Sequence, residues 1–272
     1  MKKLICRYPL LSALLFTALG LGGIQLCAGT DYPVQGAARM VYSVLLLVVM
    51  AYLGGKEIAL PTVRGFGKTL RGSWSILVIA TLFTGLTVLS LFDKGSVPPD
   101  WGNILLVNAF MFMMVGLFEE VLFRGLILHA FLHKLGGSKN GVLASVVLSS
   151  LLFGVVHIIF SLFEDEWTPS MLAMAALKTI TAAQFGMLMA SLYILYRNLW
   201  ALALVHGLND LAPILLAAFN NMALSTDYTQ GGSADSYLFS AVMIAIFIPI
   251  NAVYLKKVLK EPLPQYGFYR EA

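Results

Sequence analysis

Charge is what this sequence has least of. Only 12% of its 272 residues are charged, against 59% that are hydrophobic, and the mean hydropathy is +0.83. Soluble domains carry about 25% charged residues, so an ordinary soluble fold is excluded. The formal net charge of +4 is too small to suggest a nucleic-acid partner. Cysteine is nearly absent as well: Cys6 and Cys27 flank the first apolar run, near opposite faces of a membrane, and no Cys-x-x-Cys occurs. Disulfide frameworks and thiolate metal sites therefore have no support. Heptads, solenoid repeats, low-complexity tracts, paired half-repeats and a His-Glu-x-x-His helix are also missing.

What is there is a series of apolar runs, at residues 10–26, 37–53, 74–92, 104–123, 142–163, 171–196, 199–219 and 237–255. A membrane helix needs about 20 apolar residues, so the expected fold class is an all-α polytopic membrane protein with about eight transmembrane helices. The expected organisation is a single integral membrane domain, 1–272, with a motif-bearing core at about 104–219. Lys2, Lys3 and Arg7 precede the first run. Without a good small-x-small cleavage site, that run is expected to be a retained helix rather than a removed signal. Basic residues recur in alternate loops: Lys56, Arg64, Lys68 and Arg71, then His129, His133, Lys134 and Lys139, then Arg197, then Lys256, Lys257 and Lys260. The remaining loops hold Asp31, Asp93 and Asp100, then Glu164, Asp165 and Glu166, then Asp227 and Asp235. By the positive-inside rule both termini are expected in the cytoplasm, and short loops suit a bacterial inner membrane.

Three polar constellations interrupt the apolar runs. The first is Glu119, Glu120 and Arg124. On a helix, Glu120 and Arg124 are i,i+4 neighbours, while Glu119 is turned about 100° away from Glu120. A snorkelling ion pair accounts for Glu120 and Arg124 but leaves Glu119 without a partner. The second is His157, within Phe153-Gly154-Val155-Val156-His157, which as a lone histidine could equally be a helix–helix hydrogen bonder. The third is His206, Asn209 and Asp210, with His206 and Asp210 on one face. If all of these faced lipid the insertion cost would be on the order of 10 kcal/mol, so they are expected to converge on a polar site between helices 4, 5 and 7.

Depth along the helices adds a constraint. If the fourth helix ended at Arg124, Glu119 would lie only about 8 Å from its inner end, far below His157. Continuation to Leu135, with Gly136-Gly137 as the stop, closes that mismatch and predicts one helix over 104–135. His206, about 10 Å from Leu199, remains too shallow on the same count. His129 and His133 form a further i,i+4 pair, expected to lie on an interfacial face rather than at a metal.

The order Glu119-Glu120-x-x-x-Arg124, Phe153-x-x-x-His157, His206-x-x-x-Asp210 resembles the CPBP family of intramembrane proteases. These are grouped with the type II CAAX prenyl endopeptidases and with bacteriocin-processing or immunity proteins. The family pattern is EExxxR, FxxxH and HxxxN. Asp210 departs from it, with Asn209 one position earlier. The resemblance implies an endopeptidase acting on a membrane-embedded or membrane-associated peptide or protein. It implies Glu119 as the base for an attacking water that His157 helps to hold, and Arg124 orienting Glu120. It further implies His206, with Asp210 or Asn209, stabilising the oxyanion or binding a metal. For the cofactor the expectation is none or zinc; if zinc is present, Glu119, His157 and His206 would be its ligands. Two rivals stand beside this reading: a proton-coupled transporter, since carboxylate–histidine chains also relay protons, and a non-catalytic immunity or scaffold protein.

Overall fold

Proline, glycine and serine divide the apolar runs into helices. In the computed structural model, which describes residues 2–163, 166–220 and 232–263, helix α1 spans Lys2–Arg7 and α2 spans Pro9–Gln25. Helix α3 spans Tyr32–Met50 and runs into a π segment at Ala51–Gly55, where Gly54 has φ 108°. Short helices α4 (Lys56–Ala59) and α5 (Phe66–Gly72) precede α6 (Trp74–Lys94), which Gly95 ends in the left-handed conformation. Helix α7 (Trp101–Glu120) continues through a π segment, Val121–Ile127, into α8 (Leu128–Leu135). Then come α9 (Lys139–Val156), α10 (Pro169–Tyr196), α11 (Leu199–Asn220) and α12 (Ala234–Lys260).

The starts follow local chemistry. Pro9 and Pro33 occupy first-turn positions, where a missing N–H costs nothing. Ser138 accepts from the Gly141 N–H and Ser233 from the Ser236 N–H, each capping its helix. Past Leu135, the Gly136 N–H closes on the Leu132 carbonyl at 2.8 Å, so the helix stops where the Gly-Gly pair was expected to stop it.

The protein is an integral membrane protein with an all-α fold, and no strand occurs among the described residues. Seven helical spans are long and apolar enough to cross a membrane; Pro9–Gln25, at 17 residues, is shorter. The span Trp101–Leu135, 35 residues long, is the extended helix that the depth constraint demanded. The fifth run departs from expectation. Its helix is Lys139–Val156, not the whole of 142–163, and it gives way to turns and a short 3₁₀ helix at Ser161–Phe163. The acidic residues Glu164, Asp165 and Asp227 lie outside the described residues.

The chain divides into two compact units. Among the described residues, the first comprises 2–127 and 196–220. Within it α7 packs against α11 and α3, and α11 also packs on α6. The turn into α11 is tied down by Asn198, fully buried, whose amide donates to the Thr62 and Arg64 carbonyls while its oxygen accepts from the Ala201 N–H. The loop bearing Arg64 is thus fastened to the helix core. The second unit comprises, among the described residues, 128–163, 166–195 and 232–263. There α9 packs on α8 and α12, and Phe153 of α9 stacks with Phe185 of α10 at 6.3 Å.

Candidate active site

Two glycines bring the polar residues of the first unit together. A Cβ on Gly116 of α7 would lie 2.4 Å from the Ala203 carbonyl oxygen and 2.6 Å from the Gly207 nitrogen of α11. One on Gly207 would lie 3.0 Å from the Met113 Cα. The Gly116 distances are shorter than real contacts and the Gly207 one is tighter than nearly all, so the α7 and α11 backbones approach this closely because neither residue has a side chain. Glu119 and Glu120 follow Gly116 by one helical turn, and His206 and Asp210 flank Gly207.

The result is a connected cluster. Arg124 Nη1 is 3.0 Å from Glu120 Oε1, the i,i+4 pair expected from spacing, with side-chain exposures of 2% and 0%. His206 Nδ1 is 2.7 Å from the same oxygen. A carboxylate paired with arginine accepts there, so Nδ1 carries the hydrogen. The other ring nitrogen, Nε2, faces Glu119 Oε2 at 3.6 Å and Asp210 Oδ2 at 3.5 Å. Asn209 donates from Nδ2 to Asp210 Oδ1 at 3.2 Å. It is therefore Asp210 that the ring faces, with Asn209 behind it. Pro213, inside α11, has no N–H to give the Asn209 carbonyl, so the helix ladder is interrupted at this point.

The two adjacent glutamates have different surroundings. Glu120 is sealed, whereas Glu119 keeps 21% of its side-chain surface and Asp210 keeps 29%. The π segment begins at Val121, directly after Glu120. Such widened turns recur at functional sites, and here every residue from Val121 to Ile127 is buried.

The expected depth mismatch of His206 disappears for a simple reason. Leu199, at the start of α11, lies against Gly125, within 3.9 Å of where its Cβ would be. Counted from that level, Glu119 is about 9 Å and His206 about 10 Å along their helices. The earlier count began at Leu135, too far down the long helix.

His157 belongs to the second unit, as the C-cap residue of α9 rather than a mid-helix one. Its Nδ1 is 2.7 Å from the Phe153 carbonyl oxygen. A carbonyl can only accept, so Nδ1–H donates, which leaves Nε2 as the basic nitrogen of the neutral ring. The Phe153 and His157 rings lie 4.6 Å apart, and Phe153 is buried against Gly186 and Phe185. Both halves of the Phe-x-x-x-His motif thus act on the histidine, the backbone through its tautomer and the ring through its orientation.

One histidine expectation needs correction. His129 is buried, with Nε2 2.8 Å from the Tyr193 hydroxyl, while His133 is exposed. The two do not form an interfacial pair, because the face of α8 carrying His129 packs inside the second unit. As for zinc, no three His, Cys, Asp or Glu side chains among the described residues form a group that could hold a metal. Within the cluster, the Glu120 bond at His206 Nδ1 leaves Nε2 as the ring nitrogen that could ligate.

Sequence reasoning overlooked Asn198 and Arg39. Asn198 could have been found as the polar residue opening the seventh run, at a helix N-cap position. Arg39, a lone charge inside the second run, carries no such signal.

No curated protein and no solved structure matches this chain. Residues 100–212 match the family model described as type II CAAX prenyl endopeptidase Rce1-like. That segment carries all three motifs, and over it the chain is similar to the type II CAAX prenyl endopeptidases.

Proposed function

We propose that this protein is an intramembrane endopeptidase that hydrolyses a peptide bond of a membrane-associated protein or peptide, with Glu119 as the base for the attacking water. The observation that carries this reading is the unequal treatment of two neighbouring carboxylates. Glu120 is closed off by Arg124 and His206, while Glu119 stays partly open beside His206 Nε2. A carboxylate held in a low-dielectric interior and still accessible is suited to accept a proton.

In this mechanism Glu119 takes a proton from water as the new C–O bond forms at the substrate carbonyl. It returns that proton to the amide nitrogen as the C–N bond breaks, giving a carboxylic acid and an amine that part as a carboxylate and an ammonium. His206, fixed at Nδ1–H by Glu120 and acting as the imidazolium among these carboxylates, donates its Nε2–H toward the developing oxyanion, with Asp210 as a second anionic neighbour. Arg124 positions Glu120 and acts through it. His157, whose tautomer leaves Nε2 basic, is the residue the family pattern assigns to holding the water. No step is routed through a metal.

Both termini are placed in the cytoplasm, on the strength of the alternating loop charges, and a bacterial inner membrane suits the short loops. Purified wild type should cleave peptide substrates, and Glu119→Ala and His157→Ala should each abolish cleavage while remaining folded in detergent. Undiminished cleavage by either folded variant would overturn the assignment of that residue.

A further inference from the structure

Arg39 is a cation set into a packed helix face. Helix α3 buries Gly36, Ser43, Leu46 and Met50, a three-and-four spacing that forms one stripe, and Arg39 falls on that stripe between Gly36 and Ser43. At Gly36 the stripe meets α7 closely: a Cβ there would lie 2.8 Å from the Phe110 ring and 3.4 Å from the Met111 Cα. One turn further on, Arg39 Nη1 donates to the Gln35 carbonyl at 3.2 Å and lies 3.8 Å from Met111 Sδ. The side chain is half-buried and makes no ion pair among the described residues. One turn beyond Arg39, Tyr42 of the same helix meets Phe118, the residue before Glu119, with ring centroids 6.5 Å apart.

An arginine in a membrane span normally pairs or marks a pathway. Here the other cationic groups near Glu119 are occupied, Arg124 by Glu120 and His206 by the carboxylates around it. Peptide hydrolysis creates one new anion: water adds to the carbonyl carbon, the C–N bond breaks, and the fragments leave as a carboxylate and an ammonium. That carboxylate forms beside Glu119, a like charge in a poorly screened interior. The guanidinium keeps N–H groups beyond the one given to Gln35, in a planar fork matched to a carboxylate.

We infer that Arg39 is a carboxylate-binding residue of this site, holding the C-terminal carboxylate of a peptide on the α3–α7 side of Glu119. This rests on the peptidase reading, and binding rather than cleavage tests it. The probe is an N-acetylated hydrophobic tetrapeptide, as free acid and as C-terminal amide, titrated onto the protein in zwitterionic nanodiscs. The unaltered protein should bind the acid about tenfold or more tighter than the amide, the size of one charge-assisted hydrogen bond. Arg39→Gln should abolish that preference while leaving amide affinity unchanged, and Arg39→Lys should retain part of it. If Arg39→Gln fails to fold, the comparison rests on Arg39→Lys, where an undiminished preference overturns the proposal. It is also overturned if the acid preference survives in folded Arg39→Gln, or if the unaltered protein has none. It is equally overturned if Arg39→Gln instead loses co-purifying phosphatidylglycerol, which would make Arg39 an anchor for lipid phosphate. A cleavage assay on the same preparation keeps the two readings apart: Arg39-dependent acid binding without hydrolysis counts against the peptidase alone.

Discussion

His206 Nδ1 and Glu120 Oε1 are 2.7 Å apart, and Arg124 Nη1 reaches the same oxygen at 3.0 Å. This contact makes Glu120 a support for the histidine and leaves the other ring nitrogen to Glu119 and Asp210. The adjacent glutamates should therefore fail in different ways when altered.

Glu119→Gln should remove base catalysis, lowering kcat by about 10²–10⁴-fold, with little change in thermal unfolding. Glu120→Ala should lower activity too, but by uncovering buried Arg124 and His206. Removing one partner of a buried charged group costs about 3–5 kcal/mol, so its melting temperature in detergent should fall clearly. Unfolding curves measured beside kcat separate the two outcomes, and equal destabilisation by both variants would contradict the division.

The glycine contact should be as sensitive as the charges. Gly116→Ala sets a methyl against the α11 backbone at Ala203 and Gly207, so the helices must separate and activity should drop by at least about tenfold, since misplacing reacting groups by 1 Å costs up to 10²-fold. Gly207→Ala meets the end of the flexible Met113 side chain as well as its Cα. Trimming with Met113→Ala should therefore restore part of the activity of Gly207→Ala and none of that of Gly116→Ala. A kcat comparison of the single and double variants checks this.

The third motif should show its dependence at Asp210. Of the two adjacent residues it is Asp210 that faces His206 Nε2, while Asn209 donates to Asp210. Asp210→Ala should reduce kcat by about 10²-fold, within the range for a lost active-site polar group, and Asn209→Ala by much less. The reverse order, in initial-rate measurements, would move the role to Asn209.

The His129–Tyr193 pair provides a contrast. Both side chains are buried and bonded to each other at 2.8 Å, so Tyr193→Phe should cost about 1–3 kcal/mol by leaving His129 Nε2 short of a partner. Activity per folded molecule should be unchanged. A kcat loss without a fall in melting temperature would give this pair a place in the chemistry.

Much of the architecture was legible because it depends on short-range rules. Apolar run length gave the spans, i,i+4 spacing gave Glu120 with Arg124, and Gly136-Gly137 gave the end of the long helix. The π segment was not legible, since Val121–Ile127 contains nothing that distinguishes a widened turn from an α turn. The end of α9 was hidden because apolar residues continue past Val156, and composition does not register where a helix stops inside a run. Asp210 and Asn209 could not be ranked, since adjacent residues point about 100° apart and only the packing of α11 on α7 chooses between them. Arg39 was missed because a lone charge in an apolar run carries no pattern. Its significance lies in the buried stripe it shares with Gly36 and Ser43, which becomes visible once α3 is seen against α7.

Glu119 is proposed to drive peptide hydrolysis inside the membrane. Its most direct test is mass spectrometry of new peptide termini, after wild-type and Glu119→Gln protein in liposomes are each incubated with a solubilised membrane-protein fraction. The account predicts a set of new C-termini with wild type that is absent with Glu119→Gln. The same termini from both proteins, or none from wild type together with pH-driven solute flux into the liposomes, would contradict it.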